Sequence, residues 1–127
     1  MLFNFDYRRT GPFFGSLLAA LIFALSIMPL RGADATELVM FESEGCEWCE
    51  TWNEEIGVLY AKTDEAKIAP LRRVDIDDDR PADLQNVHGL VYTPTFVVMK
   101  DGQEAGRIIG YPGEDFFWQL LNEILQK

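Results

Sequence analysis

Two cysteines and one histidine are all the sulfur-anion and imidazole ligands that this 127-residue chain offers a zinc ion. A closed structural zinc site takes about four protein ligands, so Cys46, Cys49 and His88 need carboxylates or a second chain to complete one. A purely structural cross-link is also a poor use of the pair. The loop between them holds only Glu47 and Trp48, and so short a closure restrains little of the unfolded chain. Binding of soft Cu(I) by two thiolates, as in a metallochaperone, stays open as the alternative. Basic side chains are scarce too: 11 Lys and Arg stand against 21 Asp and Glu, a net charge of −10. That balance argues against nucleic acid or an anionic membrane surface as partner, and solubility is its simplest use. Internal repeats and low-complexity linkers are absent.

The one long apolar stretch runs from Phe13 to Met28. With Arg8 and Arg9 before it, Pro29 after it and the A-x-A site Ala33-Asp34-Ala35 beyond, residues 1–35 read as an export signal cleaved after Ala35. An uncleaved anchor is the competing reading, since Phe13 to Leu30 is barely long enough to span a bilayer. Arg8-Arg9 is followed by Thr10-Gly11-Pro12, a weak twin-arginine match, so the export route stays open. Residues 36–127 then form one small domain with 19 acidic and 8 basic residues, a net of −11. Export places that domain in an oxidising space, where a disulfide persists and no stable membrane insertion remains.

Along that domain, Glu37–Glu42 is a short apolar run, too brief for a helix and suited to a buried strand. After the break at Ser43-Glu44-Gly45, the residues Trp48, Trp52, Ile56, Leu59 and Tyr60 recur at spacings of three and four, which predicts a helix to about Ala61. Lys62–Pro70 reads as a connection and Arg72–Asp77 as a second strand. Asp77-Asp78-Asp79 offer N-caps for a short helix from Pro81 to about Val87. Thr95–Lys100 is the strongest strand, Asp101-Gly102 a hairpin turn, and Glu104–Gly110 the returning strand. Glu114–Gln126 closes the chain as a helix with Phe117, Leu120, Leu121, Ile124 and Leu125 inward. The order β-α-β-α-β-β-α opens with a crossover that should be right-handed.

Cys46 and Cys49 sit at the head of the first helix. A sulfur there faces unsatisfied backbone N–H groups and the positive end of the helix dipole, which stabilise its thiolate as a nucleophile. The second thiol is close enough to form a disulfide with it, so the pair reads as a redox site. His88 precedes a glycine in a loop and reads as a surface histidine. Asp75, Asp77, Asp78 and Asp79 lack the spacing of a calcium loop and read as a solvated turn. Trp52 and Trp118 are expected in the core.

Cys46-Glu47-Trp48-Cys49 after a strand, Thr93-Pro94-Thr95-Phe96 before a later one, the turn Lys100-Asp101-Gly102, and Gly110 together resemble a thioredoxin-fold protein. The pieces G-C-E-W-C, A-P-L-R-R-V-D-I, Y-T-P-T-F-V-V and G-R-I-I-G-Y-P-G-E-D-F-F-W are similar to the SoxS-type periplasmic thioredoxins of sulfur-oxidation systems. The resemblance implies an α/β thioredoxin-like fold, a central mixed sheet of about four strands flanked by helices. It also implies a periplasmic thiol-disulfide oxidoreductase that works without a cofactor or metal, as a monomer. Cys46 would attack a partner protein's disulfide and Cys49 would resolve the mixed disulfide. Thr93–Pro94 would be cis, letting the Thr93 backbone pair with an extended partner segment, with Trp48 on the rim.

Two departures accompany the match. Where many thioredoxins carry a buried aspartate this chain has Met40, so Glu42, Glu44 or Glu47 is the candidate proton relay. The lysine that often pairs with that aspartate corresponds to Arg73, expected here to face Asp75, Asp77 or solvent. Carboxylates near Cys46 disfavour its thiolate, which points to a reductant recharged by a membrane thiol donor rather than a strong oxidant. A sulfur-carrier protein with a blocked cysteine is the target that the closer resemblance implies.

Overall fold

In the computed structural model, which describes residues 35–127, the apolar run at the start of the domain forms β1 (Thr36–Glu42). The expected export signal lies outside the described residues. β1 is flanked by β2 (Leu71–Asp75), which runs parallel to it, and β3 (Thr95–Lys100), which runs antiparallel. β4 (Gln103–Ile109) pairs antiparallel with β3, giving a mixed sheet in the order β2-β1-β3-β4. Asp101 and Gly102 both adopt positive φ between β3 and β4, the backbone that a tight hairpin requires.

The two central strands are buried on both faces, which is why their sequences show no clean alternation. Leu38, Met40, Phe96 and Val98 meet one cluster with Trp52, Ile56, Tyr60, Phe117, Leu121 and Ile124. Val39, Phe41, Val97 and Met99 meet the other, with Val74, Leu84 and Val87. Helices cover the first face. An irregular segment with a 3₁₀ turn at Ala82–Leu84 covers the second.

The first helix is less regular than its periodicity predicts. α1 (Glu47–Trp52) passes into a π segment, Asn53–Gly57, and ends in α2 (Val58–Tyr60). The π segment keeps Ile56 fully buried, whereas Leu59 turns outward at 40 % exposure. The expected connection Lys62–Pro70 contains α3 (Asp64–Ile68), capped by the Thr63 hydroxyl, which accepts from the Ala66 N–H at 3.2 Å. The helix expected from Pro81 to Val87 is only the 3₁₀ turn: Pro81 itself takes the N-cap position, where it has no side-chain acceptor to offer, and none of Asp77, Asp78 and Asp79 stands there. α4 (Glu114–Leu125) buries Phe117, Leu121 and Ile124, while Leu120 is exposed at 36 % and Trp118 half-buried. Trp118 stacks on Tyr60 with ring centroids 6.0 Å apart. Gly106 of β4 lies against Ile124: a Cβ there would stand 3.0 Å from that side chain, which would have to give by a few tenths of an ångström. Among the described residues no helix is long and apolar enough to cross a membrane.

Tyr60 ties the helical layer to the loop before β2. Its buried hydroxyl donates to the Ala69 carbonyl at 2.8 Å, and burial, aided by the Glu65 carboxylate, holds its pKa well above the ordinary phenol. The unfolded phenol ionises near pH ~10. Stability drawn from the neutral hydroxyl is therefore complete below that pH and lost as the pH rises further. Tyr60→Phe is expected to cost about 1 kcal/mol at neutral pH, where it orphans the carbonyl, and to flatten the loss above pH ~10. Urea unfolding at pH 8 and pH 11, on the order of a unit either side of that ionisation, checks both effects.

Candidate active site

β1 ends at Glu42, and a turn through Gly45, at φ 71°, carries the chain to Cys46. The Cys46 N–H donates to the Ser43 carbonyl at 3.3 Å, closing that turn. Cys46 is the N-cap of α1: its backbone is extended, and its Sγ accepts from the Cys49 N–H at 3.1 Å. The sulfur thus holds the place that a serine or aspartate oxygen fills at other helix starts. Cys46 and Cys49 are joined by a disulfide with Cα atoms 5.2 Å apart. Cys49 is 3 % exposed and belongs to the core, whereas Cys46 is half-buried. Of the two cysteines, Cys46 is the more exposed.

The Thr93–Pro94 peptide is cis. Pro94 is buried and its carbonyl accepts from the Gly110 N–H at 2.8 Å, which sets the loop on the end of β4. Thr95 Oγ1 donates to the Tyr92 carbonyl at 2.6 Å. Among the described residues, the Thr93 backbone N–H and carbonyl make no hydrogen bond, so a strand-like edge is open there. The Thr93 hydroxyl meets that of Ser43 at 2.9 Å, which joins this loop to the one before Cys46. Trp48 is 60 % exposed, and Val91 and Tyr92 are 72 % and 67 % exposed just before Thr93. Sequence reasoning singled out Trp48 but missed Val91, Tyr92 and Ser43. Adjacency to Thr93-Pro94 was the signal for the first two; for Ser43 there was none, since its partner is remote in sequence.

Arg73 corrects one expectation in part. It is exposed to solvent, as one alternative has it, but does not turn to Asp75 or Asp77: Nη1 donates to Glu42 at 2.8 Å and to the Met40 sulfur at 3.4 Å, and Nη2 donates to Asn53 at 2.6 Å. The register explains this, because Met40 and Arg73 are directly paired across β1 and β2, which sets the long guanidinium beside the β1 end. Its carbon lies 5.7 Å from the centre of the buried Trp52 ring, a cation–π contact. Glu42 is thereby held in an ion pair, while Glu44 and Glu47, within two positions of Cys46 in the chain, are exposed. His88 is exposed, and its carbonyl accepts from Arg107 at 3.0 Å.

The chain matches the family model of the thioredoxin-like domain over residues 26–125. It belongs to the thioredoxin-like family. This thioredoxin-like chain is similar to the periplasmic thioredoxin SoxS of Paracoccus pantotrophus, with 43 % identity over 72 % of its length and 96 % of that structure, at a TM-score of 0.68. It is also 32 % identical to a thioredoxin of Chlamydia caviae, over 70 % of this chain and 84 % of that one. The Fasciola hepatica thioredoxin structure is 26 % identical, covering 69 % of this chain and 79 % of that one at a TM-score of 0.54. With its C-x-x-C disulfide, the thioredoxin-like domain is a thiol-disulfide oxidoreductase.

Proposed function

We propose that this protein is an exported, periplasmic disulfide reductase, its residues 1–35 a cleaved signal and residues 36–127 the working domain. The observation that carries the reading is the half-buried Cys46 sulfur, held by the Cys49 amide at 3.1 Å at the start of α1, with Cys49 buried behind it. In the reduced protein the same amide and the helix dipole stabilise the Cys46 thiolate. That thiolate attacks one sulfur of a partner disulfide, forming a mixed disulfide and releasing the partner's other sulfur as a thiolate. Cys49 loses its proton and attacks Cys46 Sγ, which forms the Cys46–Cys49 bond and frees the second partner sulfur. Two electrons pass to the partner, and a membrane dithiol donor restores the reduced pair.

Thr93, Pro94 and Trp48 form the surface on which the partner segment lies, with the Thr93 backbone offering strand-like hydrogen bonds. A proton acceptor for Cys49 is drawn from Glu42, Glu44 and Glu47; the Arg73 ion pair favours Glu42 as the fixed one. A sulfur-carrier protein with a blocked cysteine is the proposed target, supported by the likeness to a periplasmic SoxS thioredoxin.

Equilibration with glutathione tests the direction of flow. We expect a potential near that of thioredoxin, about −270 mV; a value near about −120 mV overturns the reductase reading. Glu47→Gln is expected to lower the Cys46 pKa by a few tenths of a unit, about what loss of one exposed negative charge gives. The pH dependence of iodoacetamide alkylation reads this directly, and an unchanged profile removes Glu47 from the account.

A further inference from the structure

Ser43 holds both halves of the site. Its carbonyl accepts from the Cys46 N–H at 3.3 Å, and its hydroxyl meets the Thr93 hydroxyl at 2.9 Å, across 50 positions of chain. Both side chains are half-buried, and the Thr93 hydroxyl has no other hydrogen-bond partner among the described residues. One link therefore spans from the nucleophile's turn to the open backbone edge. Thiol–disulfide exchange needs the attacking, central and leaving sulfurs in line. A partner paired to the Thr93 edge delivers its disulfide in line only if that edge keeps a fixed offset from Cys46.

We propose that Ser43 is a positioning residue: its hydrogen bond to Thr93 sets the docking edge against the Cys46 sulfur and so favours extended peptide disulfides over small free ones. A small disulfide reaches Cys46 from solvent and needs no edge. This rests on thiol–disulfide exchange at Cys46 and not on the reductase reading, because a reduced dithiol reacts with either probe whatever the natural direction of electron flow.

The test uses protein purified from cells expressing the full chain, reduced and then mixed with insulin or with the small disulfide 5,5′-dithiobis(2-nitrobenzoate). Ser43→Ala is expected to slow the reaction with insulin about fivefold, the scale of one neutral hydrogen bond, and to leave the small-disulfide rate unchanged. Ser43→Thr keeps the hydroxyl and keeps the insulin rate. Thr93→Val combined with Ser43→Ala is no slower toward insulin than Thr93→Val alone, because the same bond is already gone. Equal losses on both probes, no loss on either, a Ser43→Thr variant as slow as Ser43→Ala, or losses that multiply in the double variant would each overturn the proposal.

Discussion

Cys46→Ser is expected to abolish disulfide reduction, a loss of more than about a thousandfold in the insulin–dithiothreitol assay. A serine hydroxyl keeps the N-cap hydrogen bond from the Cys49 N–H, so the helix start survives and the loss is chemical rather than structural. The hydroxyl stays protonated and does not exchange with a disulfide. Cys49→Ser separates the two half-reactions. Its Cys46 still attacks, but nothing resolves the product, so the natural partner is captured as a mixed disulfide that dithiothreitol releases. Retained turnover in Cys46→Ser would mean that the buried Cys49, at 3 % exposure, is the sulfur that partners reach.

Trp52→Ala is expected to cost about 3–5 kcal/mol, a large share of the roughly 5–15 kcal/mol that holds a domain of this kind together. The ring is fully buried at the centre of the larger cluster, 5.0 Å from the Phe96 ring and 5.6 Å from the Phe117 ring. A Cβ built at Gly57 would lie 3.0 Å from it, a measure of how tightly the π segment wraps the indole. Trp52→Phe is expected to cost much less than truncation to alanine. Among the described residues the buried Nε1 has no hydrogen-bond partner, so no hydrogen bond is lost, and removing an unpaired N–H returns about 1–3 kcal/mol of desolvation. Urea denaturation of the two variants measures the difference; equal costs would show that the indole N–H has a partner of its own.

Elements whose signal is local were legible in the sequence. β3 at Thr95–Lys100 is readable because the strand formers Thr95, Phe96, Val97 and Val98 lead into Asp101-Gly102, and both turn residues take the positive φ that their types allow. Cys46 was placed at a helix start from the break at Gly45 and the spacing that follows. Periodicity misjudges the inward face of α4 at Leu120, which is 36 % exposed beside the fully buried Leu121. Trp48 and Trp52 share one side of a helix by spacing, and both stand where they are expected, Trp48 on the rim at 60 % exposure and Trp52 fully buried. Periodicity says which residues share a side; it does not say how far along the helix the core reaches. The π segment also escapes, since it depends on a fit to neighbours; α3 escapes for its shortness, although its Thr63 cap is a local signal.

The chemistry of the centre is written in neighbouring residues: two thiols three positions apart, a capping position for the first, and apolar runs able to fill a two-sided sheet. Those are properties of adjacent residues, fixed by bond geometry and hydrophobic burial. What needed the folded chain is that Arg73 turns to Glu42 and Asn53, and that Ser43 grips Thr93. Each of these is a short-range contact between residues at least 20 positions apart, and such a pairing exists only once strand register has brought the two ends together.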